Sequence, residues 1–122
     1  MNRYHIKTGF NTGHIEIIKN IIDDLNKKVW HYSGHCLENL KNRIIDTKNL
    51  LLFIKDLKLK YGQVFEYYSD NNNIIKLCYR IAWKPGLDII LVLGQDKKII
   101  TIYLNDENDN HVTLKKELYN KI

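Results

Sequence analysis

Residues 63–104 read QVFEYYSDNNNIIKLCYRIAWKPGLDIILVLGQDKKIITIYL, and the punctuation of this stretch decides the fold. Apolar and β-branched runs of strand length are separated by turn-forming clusters at 70–73, at Lys84-Pro85-Gly86 and at 94–98. The spacing predicts strands over 63–68, 74–83, 87–93 and 99–104. Connections this short cannot carry the crossovers that parallel neighbours need, so the strands form an antiparallel meander.

Alternation then assigns faces. In 74–83, Ile75, Leu77, Tyr79, Ile81 and Trp83 share one side, and Ile74, Lys76, Cys78, Arg80 and Ala82 share the other. In 99–104, Ile100, Ile102 and Leu104 oppose Ile99, Thr101 and Tyr103. With both apolar sets turned to one core, Lys76, Arg80, Thr101 and Tyr103 emerge together on the far side. Cations suit a phosphate and an aromatic ring suits a stacked base. Solvation alone also places such residues on the wet face of a sheet.

Upstream, the period lengthens to that of helices. Ile18, Ile21, Ile22, Leu25 and Val29 recur at spacings of three and four, predicting a helix over 12–29 with Thr12 as its cap. Ser33 can cap a second helix with Leu37, Leu40 and Ile44 inward. Asp46 or Thr47 can cap a third, with Leu50, Phe53, Ile54 and Leu57 inward. Beyond the strands, 105–110 reads as a polar loop, and Thr113 caps a short helix over 113–119. Helices followed by strands make an α+β domain, with N-terminal helices on one face of a four-stranded antiparallel sheet. The expectation is one domain over 1–122, with 1–11 a loose N-terminal extension.

The chain has 122 residues and a formal net charge of +5, which favours polyanions. Its abundance of Asn, Lys and Ile makes that charge a weak signal by itself. Cys36 and Cys78 lie far apart among apolar neighbours and read as buried free thiols rather than a disulfide or zinc ligands. No apolar run reaches the roughly 18–20 residues of a membrane span, and the N-terminus lacks a signal-peptide core. A cytoplasmic site of action follows from that reading.

Chemistry concentrates in residues 30–44, WHYSGHCLENLKNRI. His5, His14 and His111 read as surface residues, whereas His31 and His35 flank the start of the second helix. An imidazole titrating near neutrality can move the proton of a ribose 2′-hydroxyl. A helix N-terminus favours its neutral, basic form and attracts anions. His35 and Arg43 lie about two turns apart, near one face of the helix. The plainer reading of His35 is a packing or capping residue. P-loop, Rossmann and GxSxG patterns are absent, and the Asp spacing fits no calcium loop. Acid/base chemistry without a metal or cofactor remains.

A helix carrying His-x7-Arg, a second helix and strands ending in IITIYLN resemble the small ribonuclease toxins of the barnase–EndoU–colicin–RelE superfamily. The resemblance covers about 35–104. It implies a four-stranded antiparallel sheet with an RNA cleft on the face away from the helices. It implies that His35 acts as general base or acid, that Arg43 and Arg80 hold the scissile phosphate, and that Thr101 and Tyr103 orient substrate or assist proton transfer. Candidate RNA contacts are His31, Lys41, Lys76 and Lys84. Asn39 departs from the denser His-x3-Arg-x3-Arg pattern of some relatives, and Lys41 or Lys76 fits the basic position equally well. The resemblance further implies metal-independent cleavage of tRNA or another RNA and a neutralising immunity or antitoxin partner. It also implies action in a target cell's cytoplasm, with delivery as the C-terminal part of a secreted toxin. The competing reading is a non-catalytic basic module that binds nucleic acid or protein.

Overall fold

The computed structural model describes residues 2–27, 30–43, 47–94 and 98–106. Ser69 to Asn73 closes the hairpin between β3 (Val64–Asp70) and β4 (Asn73–Lys84), with Asn71 in the left-handed region at φ 57°. Gly86, at φ 82°, serves the tight turn into β5 (Leu87–Leu93), where a side chain would strain the backbone. β6 (Lys98–Asp106) completes the antiparallel meander that the turn signals predict.

The sheet is larger than the four strands expected, and it is mixed. β1 (Asn2–His5) pairs antiparallel with β3, and the short β2 (His31–Tyr32) pairs parallel with β6, giving the order β1-β3-β4-β5-β6-β2. Residues 2–5 therefore form an edge strand where the sequence suggested part of a loose extension. A strand this short has too few residues to display a readable period. Its evidence is tertiary: Arg3, Tyr4 and His5 find register partners in Tyr68, Tyr67 and Glu66.

Three helices lie among the described residues. In α1 (Ile15–Leu25), Ile18, Ile22 and Leu25 are buried at the expected spacing. The expected start at Thr12 is instead a 3₁₀ turn, Thr12–His14, capped by the Asn11 side chain. The helix stops at Asn26, whose carboxamide exchanges two hydrogen bonds with the backbone of Leu59, at 2.8 and 2.9 Å. α2 (Gly34–Arg43) contributes Cys36 to the core, and α3 (Thr47–Lys55) contributes Leu50 and Ile54. They meet Leu77, Tyr79, Ile81, Ile89, Leu91, Leu93, Ile99 and Ile102 on one side of the sheet. The helix expected over 113–119 lies outside the described residues.

One register shift changes a face assignment. Leu93 pairs with Ile99, but Val92 pairs with Thr101, so Ile100 is the extra residue of a bulge. Ile99 is consequently buried in the helix-side core, whereas Ile100 is only partly buried. The uninterrupted alternation expected for 99–104 is broken at this bulge.

The histidines expected at the surface include two that are buried, His5 and His14. Nε2 of His14 faces the carbonyl oxygen of Asn71 at 3.1 Å and must carry the proton. Nδ1 then accepts from the Tyr67 hydroxyl at 2.8 Å, and the same hydroxyl oxygen accepts from the Asn11 N–H at 3.1 Å. Tyr4 stacks on Tyr67, and Phe10 meets it edge-on. This relay fastens the N-terminal segment to the β3–β4 hairpin.

Two stability outcomes follow. Tyr67→Phe orphans the Asn11 N–H and His14 Nδ1 together and is expected to cost about 1–3 kcal/mol. Leu91→Ala, in the middle of the core, is expected to cost about 2–5 kcal/mol. Urea unfolding should show lower midpoints with unchanged slopes, and a wild-type midpoint for Tyr67→Phe would remove the relay from the account.

Candidate nucleic-acid interface

β5 separates two layers. Its residues Ile89, Leu91 and Leu93 join the helix-side core, while Ile90 and Val92 are buried on the opposite face. Registers lay out that opposite face in rows: Arg3, Tyr68 and Lys76; Glu66, Cys78, Val92 and Thr101; Arg80, Ile90 and Tyr103; Ala82, Asp88 and Asn105. A buried strip of Cys78, Val92 and Ile90 is thus bordered by charged groups rather than being a uniformly wet surface.

Among the described residues, two ion pairs lie on this face. Arg3 is ion-paired with fully buried Glu66, and Arg80 Nε donates to Asp88 Oδ2 at 2.7 Å. Arg3 and Lys76 stand 5.7 and 5.2 Å from the centroid of the Tyr68 ring. Tyr68 lies between them in register, and its ring makes a cation–π contact with each. Lys84, at the end of β4, lies 4.4 Å over the Trp83 ring.

The second charged locus is the corner where β2 passes into α2. His31 lies in register with Lys98 and is exposed, while Tyr32 turns toward the core beside Ile99. Ser33 fixes the corner. Its N–H donates to the carbonyl of Ile99 at 3.0 Å and its hydroxyl donates to the carbonyl of Ile100 at 3.0 Å. The hydroxyl oxygen also accepts from the Cys36 N–H, also at 3.0 Å, which makes it the helix cap read from the sequence. The N-terminus of α2 is therefore bound to the β6 bulge immediately before Thr101. His35 occupies the first turn and is exposed.

These placements put His31 just before α2 and His35 in its first turn, and the start of that helix is tied to the strand that carries Thr101 and Tyr103. They put Arg80 in the same row as Tyr103, with Ile90 between them. His35 and Arg80 are not brought together. Cys36 holds α2 on the helix side of the sheet, whereas Arg80 alternates with core residues Tyr79 and Ile81 and faces the other way. Lys41 and Arg43 belong to the end of α2. Their side chains, and those of Thr101 and Tyr103, lie outside the described residues. Arg3, Glu66 and Tyr68 went unread in the sequence. Only Glu66 offered a signal there, as a lone carboxylate within a strand of apolar and aromatic residues.

Burial sets the protonation of the groups around both loci. It pushes the Cys36 thiol from 9.0 to about 11, and raises Tyr32, with Cys36 adding to the shift. Burial, then the nearby Glu66 charge, pushes Tyr68 from 10.0 to about 12 and raises Cys78 as well. Both cysteines are buried free thiols, as the sequence suggested, and neither is an activated nucleophile. Among the described residues, no cluster of His, Cys, Asp or Glu is arranged to hold a metal ion, and no helix is long and apolar enough to cross a membrane.

No protein-family model, curated protein or solved structure matches the chain.

The raised thiol and phenol values carry a pH consequence. The folded state retains protons that the unfolded chain releases first, so their contribution to stability is complete below about pH 9 and is lost as pH rises toward about 12. Urea midpoints are expected to be level from pH 7 to pH 8.5 and clearly lower at pH 10.5. A level profile through pH 10.5 would contradict the burial assigned to Cys36 and Tyr68.

Proposed function

We propose that the chain is a metal-independent endoribonuclease toxin of the barnase–EndoU–colicin–RelE kind, acting on tRNA or another cellular RNA in the cytoplasm of a target cell. The observation that carries this reading is the Ser33 staple. It binds the α2 N-terminus, with His35 in its first turn and His31 just before it, to the β6 bulge ahead of Thr101. Two imidazoles beside a helix N-terminus supply what cleavage through the 2′-hydroxyl requires: a base, an acid and an anion-attracting dipole.

In the proposed reaction, His35 takes the proton of a ribose 2′-hydroxyl. The 2′-oxygen forms a bond to the adjacent phosphorus, and the bond from phosphorus to the 5′-oxygen breaks. His31 gives that leaving oxygen a proton, so the products are a 2′,3′-cyclic phosphate and a 5′-hydroxyl end. Arg43, on the same helix as His35, offsets the extra negative charge, while Thr101, in the row of Val92, serves the strand bound on the far face. Arg80, Tyr103, Lys76 and Lys84 serve binding of the strand across the sheet, with Lys41 beside the reacting phosphate. A neutralising partner with an acidic surface matches the net charge of +5. No cofactor enters this scheme.

A second reading has its own support. His35 and Arg80 lie on different layers, and Tyr68 between Arg3 and Lys76 suits a module that binds RNA without cutting it. Purified protein incubated with total tRNA in excess chelator separates the two. Cleavage to cyclic-phosphate ends is expected, with His35→Ala slowing it by about 10²–10⁴-fold and His31→Ala slowing release of the 5′-hydroxyl product. RNA that is bound and left intact by the wild type decides for the binding module. Cleavage that disappears with chelator contradicts the chemistry.

A further inference from the structure

On the helix side of β2, Trp30 and Tyr32 face α3 across a cavity of about 500 Å³, within the roughly 300–1,000 Å³ range of ligand sites. α3 has two stripes. Leu50 and Ile54 are buried in the core, whereas Lys48, Leu51, Leu52 and Lys55 line the cavity at positions i, i+3, i+4 and i+7. Leu52 is 55% exposed, unlike the core leucines of the same helix. The result is an aromatic wall, a leucine floor and an ammonium at each end, about 10 Å apart along the helix axis. Asp56 stands on the rim near Lys55.

We infer that this slot receives an unpaired base of single-stranded RNA, stacked between the Trp30–Tyr32 wall and the Leu51–Leu52 floor, with Lys48 and Lys55 on the flanking phosphates. The inference rests on the RNA reading above and names the form of RNA taken: a single strand, because a paired base would first have to be unpaired and unstacked to enter the slot. The surface of the cavity is mainly apolar, and stacking on it tolerates any base. The carboxylate of Asp56 opposes phosphate at the Lys55 end, leaving Lys48 the stronger contact. Trp30 and Tyr32 flank His31 in the chain, so the slot lies within a few residues of the Ser33–His35 start of α2.

The test uses the full chain carrying His35→Ala, so that RNA survives the titration. It follows the anisotropy of fluorescein-labelled oligouridylate and of a blunt RNA duplex of equal length. Trp30→Ala is expected to weaken oligouridylate binding by roughly 5- to 150-fold and to leave duplex binding within about twofold, while Trp30→Phe restores the single-strand affinity. Leu52→Asp changes an exposed floor residue and should weaken the single strand similarly, which keeps the test valid if Trp30→Ala does not fold. Asp56→Asn should tighten it. Unchanged oligouridylate affinity in Trp30→Ala and Leu52→Asp, with Lys76→Ala weakening it, overturns the slot while leaving the RNA reading in place. Absence of binding to either RNA by the starting protein sinks both. Displacement of a bound fluorescent probe from the cavity by dodecanoate and not by oligouridylate assigns the slot to an amphiphile and overturns the inference.

Discussion

The constraint on which the molecule depends is the burial of β5 on both faces. Ile89, Leu91 and Leu93 must meet the helices, while Ile90 and Val92 must be shielded on the other side. A strand with no wet face belongs in the interior of a sheet, and β4 and β6 flank it as antiparallel neighbours, each ladder interrupted by one register shift. Every other element is then arranged relative to that strand. Helices collect where Leu77, Tyr79 and Ile81 continue its apolar surface, and charged residues collect around Cys78, Val92 and Ile90.

The second consequence concerns how charge is tolerated near an apolar strip. Glu66 is fully buried and is matched by Arg3, and Asp88 is matched by Arg80. Removing one member of such a pair leaves a buried charge uncompensated, which is far costlier than removing both. These pairs hold β1 to β3 and reinforce β4 against β5, so the cations of this face have structural as well as electrostatic roles. That double use explains why the face is basic in composition yet contains matched carboxylates.

The β6 bulge links the sheet to the chemistry proposed for it. One extra residue at Ile100 changes which side chains enter the core, and it presents two successive carbonyls, those of Ile99 and Ile100, to Ser33. A single serine thereby ends β2, caps α2 and fixes the helix against the strand. Catalytic groups gain from a rigid support of this kind, because loose placement costs rate more steeply than it costs binding.

Local signals determined the meander and the three helices. Lys84-Pro85-Gly86 and the asparagines at 71–73 admit few conformations besides turns, and the spacing of Ile18, Ile22 and Leu25 matches one helical face. Ser33 was legible as a cap because capping is a contact between residues three apart. Tertiary structure alone decided the remaining features, since each depends on groups distant in sequence. β1 exists through its pairing with 66–69, and His14 is buried because Tyr67 and Asn71 complete its hydrogen bonds. The bulge at Ile100 and the separation of His35 from Arg80 arise from how strands and helices meet. A period of two or of 3.6 carries no information about such a meeting.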